Sequence, residues 1–306
     1  VIVVVCPGQG SQTPGFLEPW LADPARADRL AELSEAAGSD LAAHGTVSDA
    51  DTIRDTSVAQ PLIVAAGILT LDALLADGRD ARIGGVAGHS VGEITAAYAA
   101  GILQAGDAMR FVGARGRAMA DAAAITPTGM SAVVGGDTEE LLALFAEVGV
   151  SPANYNGGGQ IVVAGTPEAL AALAERAPRG VRVIPLQVAG AFHTQYMAPA
   201  VETLAGVAAE LTPSDPDTTI WTNRDGSIVT SGSDFVDLLV GQVSSPVRWD
   251  LCMEAFAAAG VTGLIEVAPA GALTGLAKRG LKGVPTVAVK TPDDLTAAFE
   301  LIDQDA

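Results

Sequence analysis

A chain of 306 residues with 49% hydrophobic content can bury one large core, or one core and a smaller companion, so an enzyme-sized globular fold is expected and disorder is not. Lys and Arg number 17 against 36 Asp and Glu, and the net charge of −19 opposes an extended phosphate backbone, which excludes nucleic acid as a partner. Two cysteines, Cys6 and Cys252, with three histidines support neither a disulfide scaffold nor an ordinary structural zinc site, and both cysteines are assigned to packing.

The apolar opening of residues 1–5 is broken by Pro7 and Gly8, and the run 61–75 is interrupted by Asp72, so neither is expected to span a bilayer. A soluble, cytoplasmic protein without a membrane partner follows as the expectation. Residues 1–6 are rich in β-branched side chains, and 83–88 are short, apolar and bounded by glycine; both read as buried strands of a parallel sheet. Apolar residues at helical spacing mark 58–76, 91–100 and 107–123 as helices, and the alternation predicts an α/β fold with crossover helices.

Near Thr126 the rhythm changes. Strand 130–134, helix 138–148, strands 153–155 and 160–164, helix 167–177 and strand 181–185 follow in βαββαβ order, which is the ferredoxin-like arrangement. From Gln195 onward helices alternate with strands such as 218–222 and 263–267, as if the chain returned to its first sheet. The expected organisation is a large α/β catalytic domain built from 1–125 and 188–306, with a small inserted ferredoxin-like α+β subdomain at 126–187.

Gly88-His89-Ser90-Val91-Gly92 lies between an apolar strand and a helix. Small flanking residues permit a tight turn there, and the serine side chain projects from the sheet edge as a candidate nucleophile. The helix start aims backbone N–H groups and the positive end of its dipole at the same point, which favours a developing oxyanion. A glycine-rich loop without chemistry is the bland alternative. A serine nucleophile needs a base, and His44, His89 and His193 are the available imidazoles. His89 adjoins Ser90 and should diverge from it, and His44 sits in a polar segment. His193, in Ala189-Gly190-Ala191-Phe192-His193-Thr194 where the small unit rejoins the sheet, is the expected base; a helix-capping histidine is its alternative.

Pro7-Gly8-Gln9-Gly10-Ser11-Gln12, Gly88-His89-Ser90-Val91-Gly92-Glu93, Arg115-Gly116-Arg117 and Phe192-His193 occur in an order and spacing that resembles the malonyl-CoA:acyl carrier protein transacylases. Asn154-Tyr155-Asn156 before Gly159-Gln160, Pro246-Val247-Arg248-Trp249 and Glu266-Val267-Ala268-Pro269 extend the likeness over nearly the whole chain. The resemblance implies a hydrolase-like parallel-sheet core, Ser90 as nucleophile, His193 as base and acid, and the backbone N–H groups of Gln9 and Val91 as oxyanion hole. It implies Arg115 as the holder of a malonyl carboxylate, a role for which a guanidinium fork is suited; without the resemblance Arg115 reads as an exposed helix arginine, with Arg110 and Arg117 equally eligible. It further implies Phe192, Asn156 and Gln242 beside the substrate, with a main-chain carbonyl near Gln242 orienting the histidine and the Phe192 ring disfavouring an α-methyl on the acyl group.

The partners so implied are malonyl-CoA and an acyl carrier protein, whose phosphopantetheine belongs to the carrier, and no cofactor or metal is called for. Lys278, Arg279 and Lys282 form the densest basic cluster in an acidic chain and are expected to dock the acidic carrier; compensation of a helix dipole is the alternative. Gly157-Gly158 stands where that family has a proline before Gly-Gln, and Ala268 and Ala270 stand in place of glycines. The rival reading is a serine thioesterase or esterase, which would need a carboxylate behind the histidine; Asp107, Asp121 and Asp137 fall between Ser90 and His193.

Overall fold

The structure, a computed structural model, describes residues 1–188 and 190–304, so Ala189, the first residue of the segment leading to His193, lies outside the described residues. Strand β1 (Ile2–Cys6) is buried on both faces. Ile2, Val4 and Cys6 enter one apolar core while Val3 and Val5 enter another on the opposite side of the sheet, as the two-residue period of a strand requires. Helices α1 (Glu18–Leu21), α2 (Pro24–Ala37), α3 (Leu41–Thr46) and α4 (Thr56–Leu74) follow, then β2 (Ile83–Gly88), α5 (Gly92–Ala99) and α6 (Ala105–Ile125).

By length and composition alone α4 is apolar enough to cross a membrane, so Asp72 does not by itself rule out a span as the sequence reading held. In the fold 78% of its apolar window is buried, and it packs against α2, α5 and α6 as a core helix. Asp72 stays at the surface, where it accepts from Arg29 and from the Tyr98 hydroxyl.

The next elements are β3 (Gly129–Val134), α7 (Thr138–Val148), β4 (Ser151–Gly157), β5 (Gln160–Gly165), α8 (Pro167–Arg176) and β6 (Arg182–Pro185). These strands lie in the order β6-β3-β5-β4 with antiparallel pairing, the ferredoxin-like arrangement. Their separate core holds Val133, Leu141, Phe145, Val163 and Leu173. The chain continues through α9 (Ala198–Ala208), β7 (Ile220–Trp221), α10 (Gly232–Gln242), β8 (Val247–Arg248), α11 (Trp249–Ala258), β9 (Gly263–Glu266), α12 (Ala272–Gly280), β10 (Thr286–Ala288) and α13 (Leu295–Gln304). The first sheet is parallel throughout, in the order β10-β9-β1-β2-β7.

Strand β8 was not anticipated: it pairs in parallel with β4 and so adds a fifth strand to the second sheet from a late part of the chain. That pairing ties the two sheets together beside the carboxyl ends of β1 and β2, where open α/β sheets place their ligands. At the same place the three glycines Gly157, Gly158 and Gly159 make the β4–β5 turn with φ of 70°, 56° and 76°. A Cβ on Gly157 would meet Met253 Cε at 2.6 Å, and one on Gly158 would meet Arg279 Cβ at 2.8 Å. Glycine in place of proline thus lets the turn close down on α11 and α12. Ala268 and Ala270 are both buried.

Candidate active site

The link between β2 and α5 is compressed against β1. A Cβ on Gly92 would lie 2.1 Å from the Cys6 carbonyl oxygen, and one on Gly88 would lie 2.0 Å from the Gly92 carbonyl carbon, so only glycine fits at either end of the turn. Between them Ser90 takes φ of 54°, a left-handed conformation that costs a non-glycine residue roughly 1–3 kcal/mol and is held by the surroundings. Asn223, just beyond β7, does the holding: its Oδ1 accepts from the Ser90 N–H at 2.7 Å, and its Nδ2 donates to the Gly88 carbonyl at 2.6 Å.

His193 also has positive φ, 61°, and its N–H donates to the Val243 carbonyl. The ring meets Ser90 Oγ through Nε2 at 2.7 Å and the main-chain carbonyl of Gln242 through Nδ1 at 2.9 Å. A carbonyl can only accept, so Nδ1 carries the proton and Nε2 is left basic toward the serine. Burial, with the Arg115 charge beside it, pulls the His193 pKa down to about 3, so the ring is neutral at ordinary pH.

Arg115, on α6, is 1% exposed. Its Nη1 donates to Gln60 Oε1 at 2.7 Å, its Nη2 donates to Gln242 Oε1 at 2.7 Å, and Nη2 also reaches Ser90 Oγ at 3.5 Å. Burial lowers its pKa to about 10, which leaves it a cation held by neutral amides. The competing arginines point elsewhere: Arg110 pairs with Asp107, and Arg117 donates to the Ala37 carbonyl.

A cavity of about 410 Å³ opens on Ser90 and His193. Gln9 and Val91 line it, as do Asn156 and Phe192, while Met119, Met130 and Val162 make its wall apolar. Among the described residues the backbone N–H groups of Gln9 and Val91 donate to no protein acceptor. The Gln9 side chain is tied to the Arg54 carbonyl. His89 turns away from Ser90, as expected, and its Nε2 meets Asn156 Oδ1 at 2.8 Å. Asn156 in turn donates to Gln160. His44 lies on α3 with its ring against Ser48. Of the basic cluster, Arg279 lines the cavity, while Lys278 and Lys282 are exposed beside it.

Of the aspartates that the thioesterase or esterase reading offered, Asp107 pairs with Arg110, Asp137 caps α7 and Asp121 is exposed on α6, and the group behind His193 is a carbonyl. Among the described residues no three His, Cys, Asp or Glu side chains converge as a metal site would require. The arrangement can deprotonate a serine, stabilise an oxyanion and hold an anion within a few ångströms of the new bond. Gln60 and Asn223, which serve these groups, are not evident from sequence, whereas the buried Glu93 closes the motif at 88–93 without its contacts being legible there.

Comparison with known proteins places these features in a family context. The acyl transferase domain model matches residues 3–295. The malonyl CoA-acyl carrier protein transacylase of Mycobacterium bovis is 50% identical over 299 residues, covering 96% of this chain and 98% of the relative. Among solved structures, a Mycobacterium tuberculosis MCAT superposes with a TM-score of 0.94 at 50% identity, covering 98% of this chain and 99% of the other. A malonyl-transacylase solved in complex with its type II PKS acyl-carrier protein superposes at 0.90 with 32% identity, covering 98% and 99%.

The depressed pKa has a direct consequence. His193 is neutral above pH of about 3 in the fold and would titrate near its ordinary value when unfolded, so the folded ring should stay uncharged from pH 8 down to 5. NMR titration of the imidazole signals checks this; a His193 midpoint near 6.5 would show that the base is exposed to solvent.

Proposed function

The chain belongs to the acyl transferase domain family, and from that footing we propose that Ser90 is its nucleophile and His193 the base and acid that serve it. The reaction is transfer of a malonyl group from malonyl-CoA to the phosphopantetheine thiol of an acyl carrier protein. Ser90 Oγ gives its proton to His193 Nε2 and attacks the thioester carbonyl; the oxyanion is received by the N–H groups of Gln9 and Val91. Collapse expels the CoA sulfur, which takes the proton from His193. The carrier thiol then gives a proton to the same nitrogen and attacks the malonyl-serine ester, and Ser90 leaves with its proton restored.

The observation that carries this reading is the buried Arg115 guanidinium 3.5 Å from the Ser90 hydroxyl. In a malonyl group the carboxylate sits two bonds beyond the carbonyl under attack, so a cation this near the nucleophile selects a short acyl chain ending in an anion. A lipase or simple thioesterase gains nothing from such a cation. Phe192 and Asn156 belong to the wall around the acyl group, and Gln242 fixes both the base and the guanidinium. These steps use no cofactor, and CoA and the carrier arm enter as substrates. We assign the reaction to the cytoplasm, in fatty acid assembly and, through the same thiol chemistry, polyketide assembly.

The carrier meets the rim of the cavity, where Arg279 offers a cation in a chain of net charge −19. Lys278 and Lys282 extend that cation field and offset the repulsion between two acidic proteins.

Intact-protein mass after exposure to malonyl-CoA should show one malonyl adduct on the wild type and none on Ser90→Ala; an adduct that persists on the variant refutes the nucleophile. Following discharge of that adduct by carrier protein tests the rim. Lys278→Glu with Arg279→Glu should slow discharge roughly tenfold at low salt, less at high salt, and leave loading from malonyl-CoA nearly unchanged. Equal slowing of both half-reactions would assign the cluster to CoA phosphates, and no change in either would remove its docking role.

A further inference from the structure

Behind the site lies a buried carboxylate on which two supports of the site converge. Glu93 sits in the first turn of α5, three residues after Ser90, and is 1% exposed. Its Oε1 accepts from the backbone N–H of Asn223 at 2.6 Å, and its Oε2 accepts from Gln242 Nε2. Asn223 holds the Ser90 N–H and the Gly88 carbonyl. Gln242 holds more: Nε2 also donates to the Ser90 carbonyl at 3.1 Å, Oε1 accepts from Arg115, and its main-chain carbonyl accepts from His193. We propose that Glu93 is a positioning residue that fixes Ser90, His193 and Arg115 relative to one another through Asn223 and Gln242, because its carboxylate presents two acceptors and no donor. The inference rests on the roles given above to Ser90 and Arg115.

The donor and acceptor pattern leaves little freedom. The Asn223 N–H is a main-chain donor and cannot be turned, so one oxygen of residue 93 must accept it. Since the second oxygen also accepts, Gln242 is obliged to present its NH2 to Glu93 and its Oε1 to Arg115. A glutamine at 93 would satisfy Asn223 with its oxygen and push an NH2 toward Gln242. The Gln242 amide would then face donor against donor, or turn over and aim its NH2 at the guanidinium and its oxygen at the Ser90 carbonyl. Either choice leaves buried polar groups unmatched, and the first strains while the second releases one of the two amide anchors of Arg115.

Burial pushes the Glu93 carboxyl up to about 7, against the pull of its hydrogen bonds and of the Arg115 charge. Both oxygens nevertheless accept from N–H donors, the pattern of the ionised carboxylate, and among the described residues the guanidinium donates to Gln60, Gln242 and Ser90 rather than to Glu93. That arrangement leaves Arg115 available to an incoming carboxylate.

The test compares malonyl-CoA with acetyl-CoA as acyl donors, reading the ratio of kcat/KM for the two in the wild type, Glu93→Gln and Glu93→Asp. The glutamine variant should lower the malonyl preference roughly tenfold, with the malonyl KM raised as well as kcat reduced, since the unmatched amide displaces the guanidinium. The aspartate variant, which offers acceptors only, should keep the ratio within about twofold while its absolute rates fall. A loss of stability alone would lower both donors together and leave the ratio where it was. An unchanged ratio in Glu93→Gln, or an equal loss in Glu93→Asp, overturns the proposal. If the glutamine variant does not fold, Glu93→Ala takes its place: without either acceptor the malonyl preference should fall likewise, and an unchanged ratio overturns the proposal. Failure of the underlying reading would show separately, as a wild type that forms no malonyl adduct on Ser90.

Discussion

A guanidinium buried to 1% exposure beside a neutral imidazole is the constraint around which the rest of this molecule is arranged. Taking a cation out of water costs several kcal/mol unless other groups solvate it. Here Gln60 and Gln242 do so with neutral oxygens, one from each side. Neutral ligands keep the cation in place without discharging it, and its field, added to burial, holds His193 unprotonated. On the proposed reading, an acyl group that brings its own carboxylate completes the pair that the protein leaves open. On that reading one charge both selects the acyl group and keeps the base unprotonated.

Holding that charge near a strained serine demands a stiff frame. Ser90 and His193 both have positive φ, and each is pinned by a main-chain hydrogen bond to a distant segment, Asn223 in one case and Val243 in the other. Strain of this kind persists only where the surroundings over-determine it. The two glycines that flank Ser90 let the turn press against β1, and the parallel sheet sets the height at which the hydroxyl emerges. The strand β8, by pairing with β4, keeps the second sheet over the same opening.

The sequence made the meeting of Ser90 and His193 legible because glycine spacing after a strand is a local signal and three histidines leave few partners to choose from. The ferredoxin-like order of strands was also readable, since glycine and proline turns mark off its short strands and helices along the chain. What escaped was made of long-range contacts: Asn223 meets Ser90 across 133 residues, and Gln60 meets Arg115 across 55. No local pattern encodes such a meeting. The same reason explains β8, two residues long and defined only by its partner, and the strand expected at 218–222, of which Ile220–Trp221 pairs with β2. By contrast α2 carried a readable start at Asp23 and stop at Gly38 and could have been found. The apolar α4 passes a membrane test in isolation, and only its neighbours give it a place in the core.

The central claim is that Arg115 chooses the acyl group while Ser90 and His193 move it. Rates of loading onto Ser90 from malonyl-CoA and acetyl-CoA, measured side by side for the wild type and Arg115→Ala, test it most directly. Loss of the guanidinium should cut malonyl loading by roughly a hundredfold or more and leave acetyl loading level or faster, since a carboxylate would enter a dry pocket without its partner. If the two rates fall together by the same factor, Arg115 supports the fold of the site and the account of specificity is wrong.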